Sequence, residues 1–300
     1  MSTNLNIDFG KKEEEVIQNI QTGQFRAFYG SKNSQFKNIT VDNKELSESV
    51  FVECQNITIE DTNINLNYCV WSCHNISLSK TIFHANTRSS IWYCENIEIV
   101  NCKINSVKAC RNCSNITFKD CIINSEDFGW KCECVKIINC KISGITPFFD
   151  NSNVIVDGTE FNTKYMLQYT DNIQMLNSNV DSKDCFWHAK NVYCKNCKLI
   201  GMYLAWYSEN CLFENCHIDS IMPFCHCKKL KLINCTMPNC DGAFENSEVD
   251  ADIKGHLNSI RNFLSGKIIV DSIGEIIKDE QVVESKGIVE IRPKEEEQEK

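Results

Sequence analysis

Apolar and polar residues alternate in short runs along most of the chain, and the runs recur at a fixed interval. Each run opens with an apolar residue, and the distance from one opening residue to the next is 19 residues in nine of eleven steps. A second apolar residue stands two positions on, as in Ile97, Glu98 and Ile99, and this spacing is typical of a β-strand with one buried face rather than of a helix. The opening column contains no polar residue: Ile39, Ile57, Ile76, Ile97, Ile116, Val135, Val154, Ile173, Val192, Cys211, Leu230 and Val249.

Each repeat contains further apolar positions. A second inward pair follows the first, as in Cys121 with Ile123, and a third apolar position precedes the run, as in Phe186. Each repeat therefore consists of three short strands and three bends, and repeats of this kind bury their apolar faces by stacking. We predict an all-β protein, a parallel β-helix of about 12 coils, which is capped at both ends because the terminal coils expose strand edges.

The repeat also sets the predicted boundaries. Coils occupy residues 38–255, and residues 1–37 form an N-terminal cap with a short amphipathic helix around Glu15 to Gln21. Residues 256–277 form C-terminal cap strands. The charged segment 278–300 is predicted to be disordered, since it offers little apolar surface to bury.

Cysteine and asparagine collect in columns of the repeat. Most of the 20 Cys fall at two positions where Thr or Ser stands in other coils, so small size rather than thiol chemistry is the shared requirement. Cys110 and Cys113 have the spacing of a zinc site, but the repeat produces that spacing by itself, and we predict no metal site. Asn residues such as Asn75 and Asn96 stand at bends, where Asn tolerates left-handed backbone and stacked amides can form hydrogen bonds.

Two adjacent columns do not fit a purely structural role. The first column stands five residues before the opening apolar residue of each repeat and contains all five Trp together with Arg111. The second column stands four residues before that residue and contains Tyr, His, Asp and Lys. Arg111 argues against a fully buried column, so the two columns predict a ridge of rings and charged groups on one surface. Flat rings suit sugars or other extended ligands, and the alternatives are packing over the bend and self-association. The predicted ligand-binding residues are Trp71, Trp92, Tyr93, Arg111, Trp130, Asp150, Tyr169, Trp187, His188, Trp206, Tyr207 and His226.

Charge and hydropathy restrict the partners. The net charge of -9, with Lys and Arg scattered among Asp and Glu, argues against nucleic acid, which requires clustered positive charge. No apolar run reaches membrane-spanning length, and the polar N-terminus lacks the apolar stretch of a secretory signal, so we expect no membrane partner. A chain with many free cysteines is expected in the cytoplasm. We predict no cofactor.

Several stretches resemble a known protein family, the domain-of-unknown-function 3737 family, over roughly residues 25–277. The resemblance rests on Ser90-Ile91-Trp92-Tyr93-Cys94-Glu95-Asn96, Phe128-Gly129-Trp130-Lys131-Cys132, Ala205-Trp206-Tyr207-Ser208-Glu209-Asn210 and Ala251-Asp252-Ile253-Lys254-Gly255. This family is classed with the pectin-lyase-like right-handed β-helices, so the resemblance implies a right-handed parallel β-helix. It implies no catalytic residues, because the family has no assigned activity.

The favoured hypothesis is a non-catalytic binding module that uses the aromatic columns for a carbohydrate or another extended ligand. The first alternative is a polysaccharide hydrolase or lyase. A hydrolase needs two carboxyl groups about 5–10 Å apart, one of them protonated. Asp184 with His188 is the best acid-base group that the sequence provides, and Asp150 with His188 is the next. The second alternative is a scaffold that forms a homo-oligomer through the aromatic face.

Overall fold

A computed structural model describes residues 10–43, 49–279 and 284–293. The described residues form an all-β structure, a parallel β-solenoid of about 14 turns, and they contain no helix. The predicted fold class is confirmed, and the number of turns is close to the 12 predicted. Within the described ranges, no helix is long and apolar enough to cross a membrane. The chain divides into two compact units, residues 1–141 (unit 1) and 142–300 (unit 2).

Unit 1 is built of coils whose strands pair in parallel with the equivalent strands of the next coil. Ile97 pairs with Ile116 and Ile99 with Phe118, so the repeat places like residues above one another. Its strands are β1 Val16–Thr22, β2 Gln35–Asp42, β3 Phe51–Val52, β4 Gln55–Glu60, β5 Asn63–Asn65, β6 Tyr68–Trp71, β7 His74–Ser79, β8 Ile82–Thr87, β9 Ser89–Trp92, β10 Glu95–Val100, β11 Lys103–Ser106, β12 Ser114–Lys119, β13 Ile122–Asn124 and β14 Glu133–Ile138, with β15 Lys141–Ser143 at the boundary.

Unit 2 has the same construction. Ile173 pairs with Val192, and Val192 pairs in turn with Cys211. Its strands are β16 Ser152–Asp157, β17 Glu160–Thr163, β18 Asp171–Leu176, β19 Asn179–Lys183, β20 Lys190–Lys195, β21 Lys198–Met202, β22 Glu209–Glu214, β23 His217–Ile221, β24 Lys228–Thr236, β25 Glu248–Arg261, β26 Ser265–Ile277 and β27 Ile288–Ile291.

The core of each unit consists of the predicted inward columns. Ile97, Ile99 and Ile116 in unit 1 are buried, as are Ile173 and Val192 in unit 2. Burying a side chain of this size contributes about 1.5–3 kcal/mol, so a column of such residues is a main source of stability. All 20 cysteines are free thiols, and Cys134 is the exposed one.

The predicted role of asparagine at the bends is confirmed. Asn75 and Asn96 have φ of 56° and 57°, in the left-handed region. The Asn96 amide donates a hydrogen bond to the Asn75 side-chain oxygen at 3.0 Å, and Asn75 donates to Asn56 at 2.8 Å. In unit 2, Asn210 donates to Asn191 at 2.6 Å. Each of these asparagines is the second residue of its strand, and its amide links that left-handed position to the neighbouring coil.

The third predicted strand of each coil, which contains the apolar position that precedes the run, forms in some coils and not in others. In unit 1, β3, β6 and β9 form a separate three-stranded parallel sheet, and single bridges continue from Trp92 to Arg111 and on to Trp130. In unit 2, the corresponding residues 164–169 and 184–188 form turns. The physical reason is that alternate residues, such as Phe186 and His188 with φ of 62° and 54°, take left-handed backbone, which curls the chain.

The predicted helix around Glu15 to Gln21 is wrong, since the segment forms strand β1. In β1, Ile17 pairs with Phe36 and Ile20 with Ile39 of β2. The edge of β2 would otherwise expose unpaired backbone groups, and this long-range pairing overrides the local spacing that suggested a helix. Coils of the repeat therefore begin before residue 38. Residues 1–9 of the predicted cap lie outside the described residues.

Part of the segment 278–300, which was predicted to be disordered, forms a strand. Residues 288–291 form β27, which pairs in parallel with β26, and Lys267 forms an ion pair of 2.9 Å with Glu290. Arg292 contacts the carboxylates of Asp252 and Asp271. These contacts order a stretch whose apolar residues, Ile288, Val289 and Ile291, stand among charged ones. Residues 280–283 and 294–300 of that segment lie outside the described residues.

Candidate ligand-binding surface

The two aromatic columns lie at the corner that precedes the first strand of each coil. Each of the five Trp side chains is half-buried, which agrees with the expected partial exposure of the first column. Gln168, Cys225 and Phe244 in the same column are buried. In the second column, Tyr93, His188 and the others up to His226 have left-handed backbone, so the corner turns sharply and projects their side chains outward.

Polar side-chain atoms of the first column are tied to the backbone of the next coil. The Trp206 indole N–H donates to the Met222 carbonyl at 2.6 Å, and the Trp92 indole N–H donates to Lys108 at 3.4 Å. Gln168 makes the equivalent bond to the Asp184 carbonyl. These bonds fix the ring orientations. The buried indole nitrogen of Trp187 has no such partner within the described residues.

In unit 1, the first column forms a tilted stack. The ring centroids of Trp71 and Trp92 are 5.2 Å apart with 33° between planes, and Tyr93 packs against both rings. Arg111 follows, with its guanidinium carbon 5.6 Å from the Trp92 ring centroid and 4.9 Å from that of Trp130. The structure thus brings together the five predicted binding residues of this unit.

A cleft of about 420 Å³ lies beside this stack. Tyr68, Trp71 and Trp92 line it, and Arg26 and Glu53 are its charged groups. Tyr68 meets Trp71 edge to face at 5.9 Å and Trp92 at 6.4 Å. The cleft therefore combines apolar ring surface with a donor and an acceptor of opposite charge.

Neighbouring side chains hold both charged groups in place. The Tyr29 hydroxyl donates to Glu53 Oε2 at 2.6 Å, and this hydrogen bond raises the pKa of Tyr29. The second carboxylate oxygen of Glu53 remains available as an acceptor. The Arg26 guanidinium lies over the rings of Phe25 and Tyr29, at 5.0 Å and 5.6 Å from their centroids.

Sequence reasoning did not list three binding residues of the cleft, Arg26, Glu53 and Tyr68. Arg26 belongs to the segment assigned to the N-terminal cap. Tyr68 stands seven residues before Asn75, at a position where other coils of unit 1 have Ser, Lys or Asp. A large ring in a column of small or polar residues was the signal that could have found it.

In unit 2, four rings of the second column form a parallel ladder. Tyr169, His188, Tyr207 and His226 stack in that order with centroid distances of 5.1, 5.0 and 4.5 Å and interplanar angles of 8°, 10° and 2°. Because the ring faces cover one another, solvent meets the ring edges, which carry hydroxyl groups and imidazole nitrogens. The expectation that open ring faces would stack on a ligand therefore does not fit this ladder.

The predicted acid-base groups are not brought into contact. Asp184 and His188 lie on one turn of unit 2, yet these two described residues form no hydrogen bond or ion pair with each other. Burial raises the pKa of the Asp184 carboxyl, and Lys183 offsets part of that effect. Asp150 lies two coils from His188, and the Tyr169 ring of the intervening coil stacks on the imidazole.

The described residues contain no group of three or more His, Cys, Asp or Glu side chains arranged to hold a metal ion. The sulfur atoms of Cys110 and Cys132 lie 3.9 Å apart, and both thiols are buried. The spacing of Cys110 and Cys113 that suggested zinc is thus part of the core packing.

Comparison with known proteins gives a family but no activity. No match was found among curated protein sequences. Among solved structures, the chain is similar to PfbA, a surface adhesin of Streptococcus pneumoniae, at 10% identity and a TM-score of 0.39, covering 80% of this chain and 76% of that one. It is also similar to the A-module of the mannuronan C-5 epimerase AlgE6 of Azotobacter vinelandii, at 10% identity and a TM-score of 0.36, covering 93% and 81%. The family model described as protein of unknown function (DUF3737) matches residues 15–291, and the chain therefore belongs to this family.

Proposed function

We propose that the protein is a non-catalytic carbohydrate-binding module and that the cleft of unit 1 is its ligand site. The observation that carries the proposal is the convergence of Tyr68, Trp71 and Trp92 on a concave space of about 420 Å³ beside Arg26 and Glu53. A concave site that combines aromatic side chains with a few fixed polar groups is a usual form of a small-ligand site.

The chemistry of the cleft suits a sugar ring. A pyranose has an apolar C–H face that can pack on an indole and a rim of hydroxyl groups that need hydrogen-bond partners when they lose water. Trp71 and Trp92 provide ring surface. Glu53 accepts from hydroxyl groups and Arg26 donates to their oxygens, and both are held by Tyr29 before a ligand arrives. This preorganisation reduces the entropy lost on binding.

Binding rather than hydrolysis is supported by the acids of the cleft. Glycoside hydrolysis requires two carboxyl groups, about 5–10 Å apart, across the scissile bond. Among the described residues that line the cleft, Glu53 is the sole carboxylate. In unit 2, Asp184 has a raised pKa but forms no hydrogen bond or ion pair with His188, the acid-base partner that the sequence suggested for it.

A glycan array followed by calorimetric titration of the tightest hit tests the proposal. Trp71→Ala removes a wall of the cleft and should weaken binding by at least about 30-fold, the usual effect of losing a central aromatic contact. The matched control is Tyr193→Ala, since Tyr193 is a half-buried ring outside both aromatic columns, and its removal should leave affinity unchanged. Binding that Trp71→Ala does not weaken, or no binding by the unsubstituted protein, would contradict the proposal. Light scattering on the same samples separates ligand binding from self-association.

A further inference from the structure

The Arg111 side chain lies between two indole rings in unit 1. Its guanidinium carbon is 5.6 Å from the Trp92 ring centroid and 4.9 Å from that of Trp130. A planar cation held between two rings gains cation–π stabilisation and loses the freedom to turn. Because the rings cover both faces, the groups left for a ligand are the N–H donors around the edge.

These donors have no partner in the described part of the chain. Arg111 is half-buried, and its guanidinium forms no ion pair and no hydrogen bond with any described residue. Asp127 interacts with Arg111 through charge alone: burial chiefly raises the pKa of Asp127, and Lys108 and Arg111 lower it in part. Water is then the partner of these donors in the free protein, and an oxyanion on a ligand can replace that water with charge-assisted hydrogen bonds.

We propose that Arg111 is the centre of an oxyanion subsite, which binds a carboxylate or sulfate group on the ligand of unit 1. The proposal rests on the proposed function and adds a chemical class to it, an acidic carbohydrate. The planar fork of arginine matches the two oxygens of such a group, and both hydrogen bonds are charge-assisted. Lys108, near Asp127, adds positive charge, and the exposed Asn112 amide lies next to Arg111 in the chain.

The subsite can be tested directly with inorganic sulfate, because Trp92 and Trp130 flank the guanidinium and report binding through their fluorescence. Sulfate at constant ionic strength should give a saturable change. Arg111→Gln should weaken this response roughly tenfold or more, since it removes hydrogen bonds to a charged group. Gln is compatible with the fold because Gln168 occupies the same column. Arg111→Lys keeps the charge without the fork and should give an intermediate loss.

The matched control is Arg88→Gln, which removes the same charge from an exposed arginine of unit 1 outside the ring stack. It should leave the sulfate response unchanged. A response that is linear with concentration, or one that both Gln variants retain equally, identifies an adventitious ion only and overturns the subsite.

Paired glycans distinguish this inference from the proposed function. The array should contain a neutral oligosaccharide, its C6-carboxylated form and its O6-sulfated form on the same backbone. We expect an acidic member to bind at least tenfold more tightly than the neutral one, and Arg111→Gln to abolish this preference while Arg88→Gln keeps it. Equal binding of neutral and acidic members overturns the oxyanion subsite and leaves the carbohydrate site standing. A saturable sulfate response with no glycan binding overturns the carbohydrate site alone.

Discussion

The Tyr207 ring stacks on His226 with centroids 4.5 Å apart and planes 2° from parallel, and His188 covers the opposite face of Tyr207 at 5.0 Å. All three residues have left-handed backbone, with φ of 54° to 59°. That conformation costs a non-glycine residue roughly 1–2 kcal/mol, whereas an aromatic pair contributes about 0.5–1.5 kcal/mol beyond its buried area. Stacking therefore offsets much of the strain at these corners, and the ladder of unit 2 has a structural role that its exposure did not suggest.

The stacking of Tyr207 on His226 should appear as a coupling energy. Asn is the suitable replacement at both positions because it tolerates left-handed backbone and occurs as Asn112 at the equivalent position of unit 1. Urea unfolding of Tyr207→Asn, His226→Asn and the double variant should give a coupling of about 0.5–1.5 kcal/mol. Additive losses from the two single variants would show that the rings merely lie side by side.

The amide ladder of unit 1 predicts a reciprocal pair of substitutions. Asn75→Cys removes two amide hydrogen bonds at a left-handed position and should lower the free energy of unfolding by about 1–3 kcal/mol. Cys134 is exposed at the equivalent position, with φ of 55°. Cys134→Asn should raise the free energy of unfolding by about 1 kcal/mol, since Asn fits the backbone better. Denaturant titration measures both changes, and a destabilised Cys134→Asn would contradict the account.

The burial of the cysteines predicts their reactivity. Burial raises the pKa of Cys185, Cys194 and Cys227 well above the ordinary thiol value, which leaves little thiolate to react. Cys134 is the exposed thiol among the 20. An aromatic disulfide reagent should label Cys134 rapidly in the folded protein, because the other thiols are buried out of its reach, and should label all 20 cysteines after unfolding in guanidinium. Rapid labelling of the remaining cysteines without denaturant would show that the inward columns are open.

The Asp184 carboxyl predicts a dependence of stability on pH. Burial raises its pKa in the folded state above the ordinary value of 3.8, so the folded protein holds the proton more tightly than the unfolded chain. The stability that this group contributes is present below pH 3.8 and is lost as pH rises through the raised pKa. Asp184→Asn should therefore be more stabilising, relative to the unsubstituted protein, at pH 7 than at pH 3.

Thermal unfolding of both proteins at the two pH values measures this difference. Asn also fits the left-handed backbone of Asp184, which has φ of 50°, but that gain is the same at both pH values and cancels in the comparison. A gain that does not change with pH would show that the carboxyl is not desolvated in the fold.

The sequence predicts the coils well because the alternation of apolar and polar residues that forms them is local and recurs in every repeat. Ile97 and its equivalents are apolar in every coil, and the alternation around them permits one buried face. Strand β1 was misread for the opposite reason. The spacing of Val16, Ile17 and Ile20 suggests a helix by itself, and the deciding contact is pairing with β2, 19 residues later.

The candidate site was predictable in part of its residues but not in its geometry. The aromatic columns identify Trp71, Trp92 and Tyr207, yet they do not tell whether rings tilt to leave a cleft or stack until their faces are covered. The rings of Trp71 and Trp92 are tilted by 33°, whereas those of Tyr207 and His226 lie 2° from parallel. Arg26 reaches the cleft from outside the predicted repeat, so no column could reveal it.

The most direct test of the carbohydrate site is a crystal structure of the full chain soaked with the tightest oligosaccharide from the array. We predict a sugar ring against Trp71 and Trp92, with hydroxyl groups within hydrogen-bond distance of Glu53 and Arg26. A ligand seated on the ladder of Tyr169 to His226, or a cleft filled by a second copy of the chain, would contradict the assignment of this cleft as the carbohydrate site.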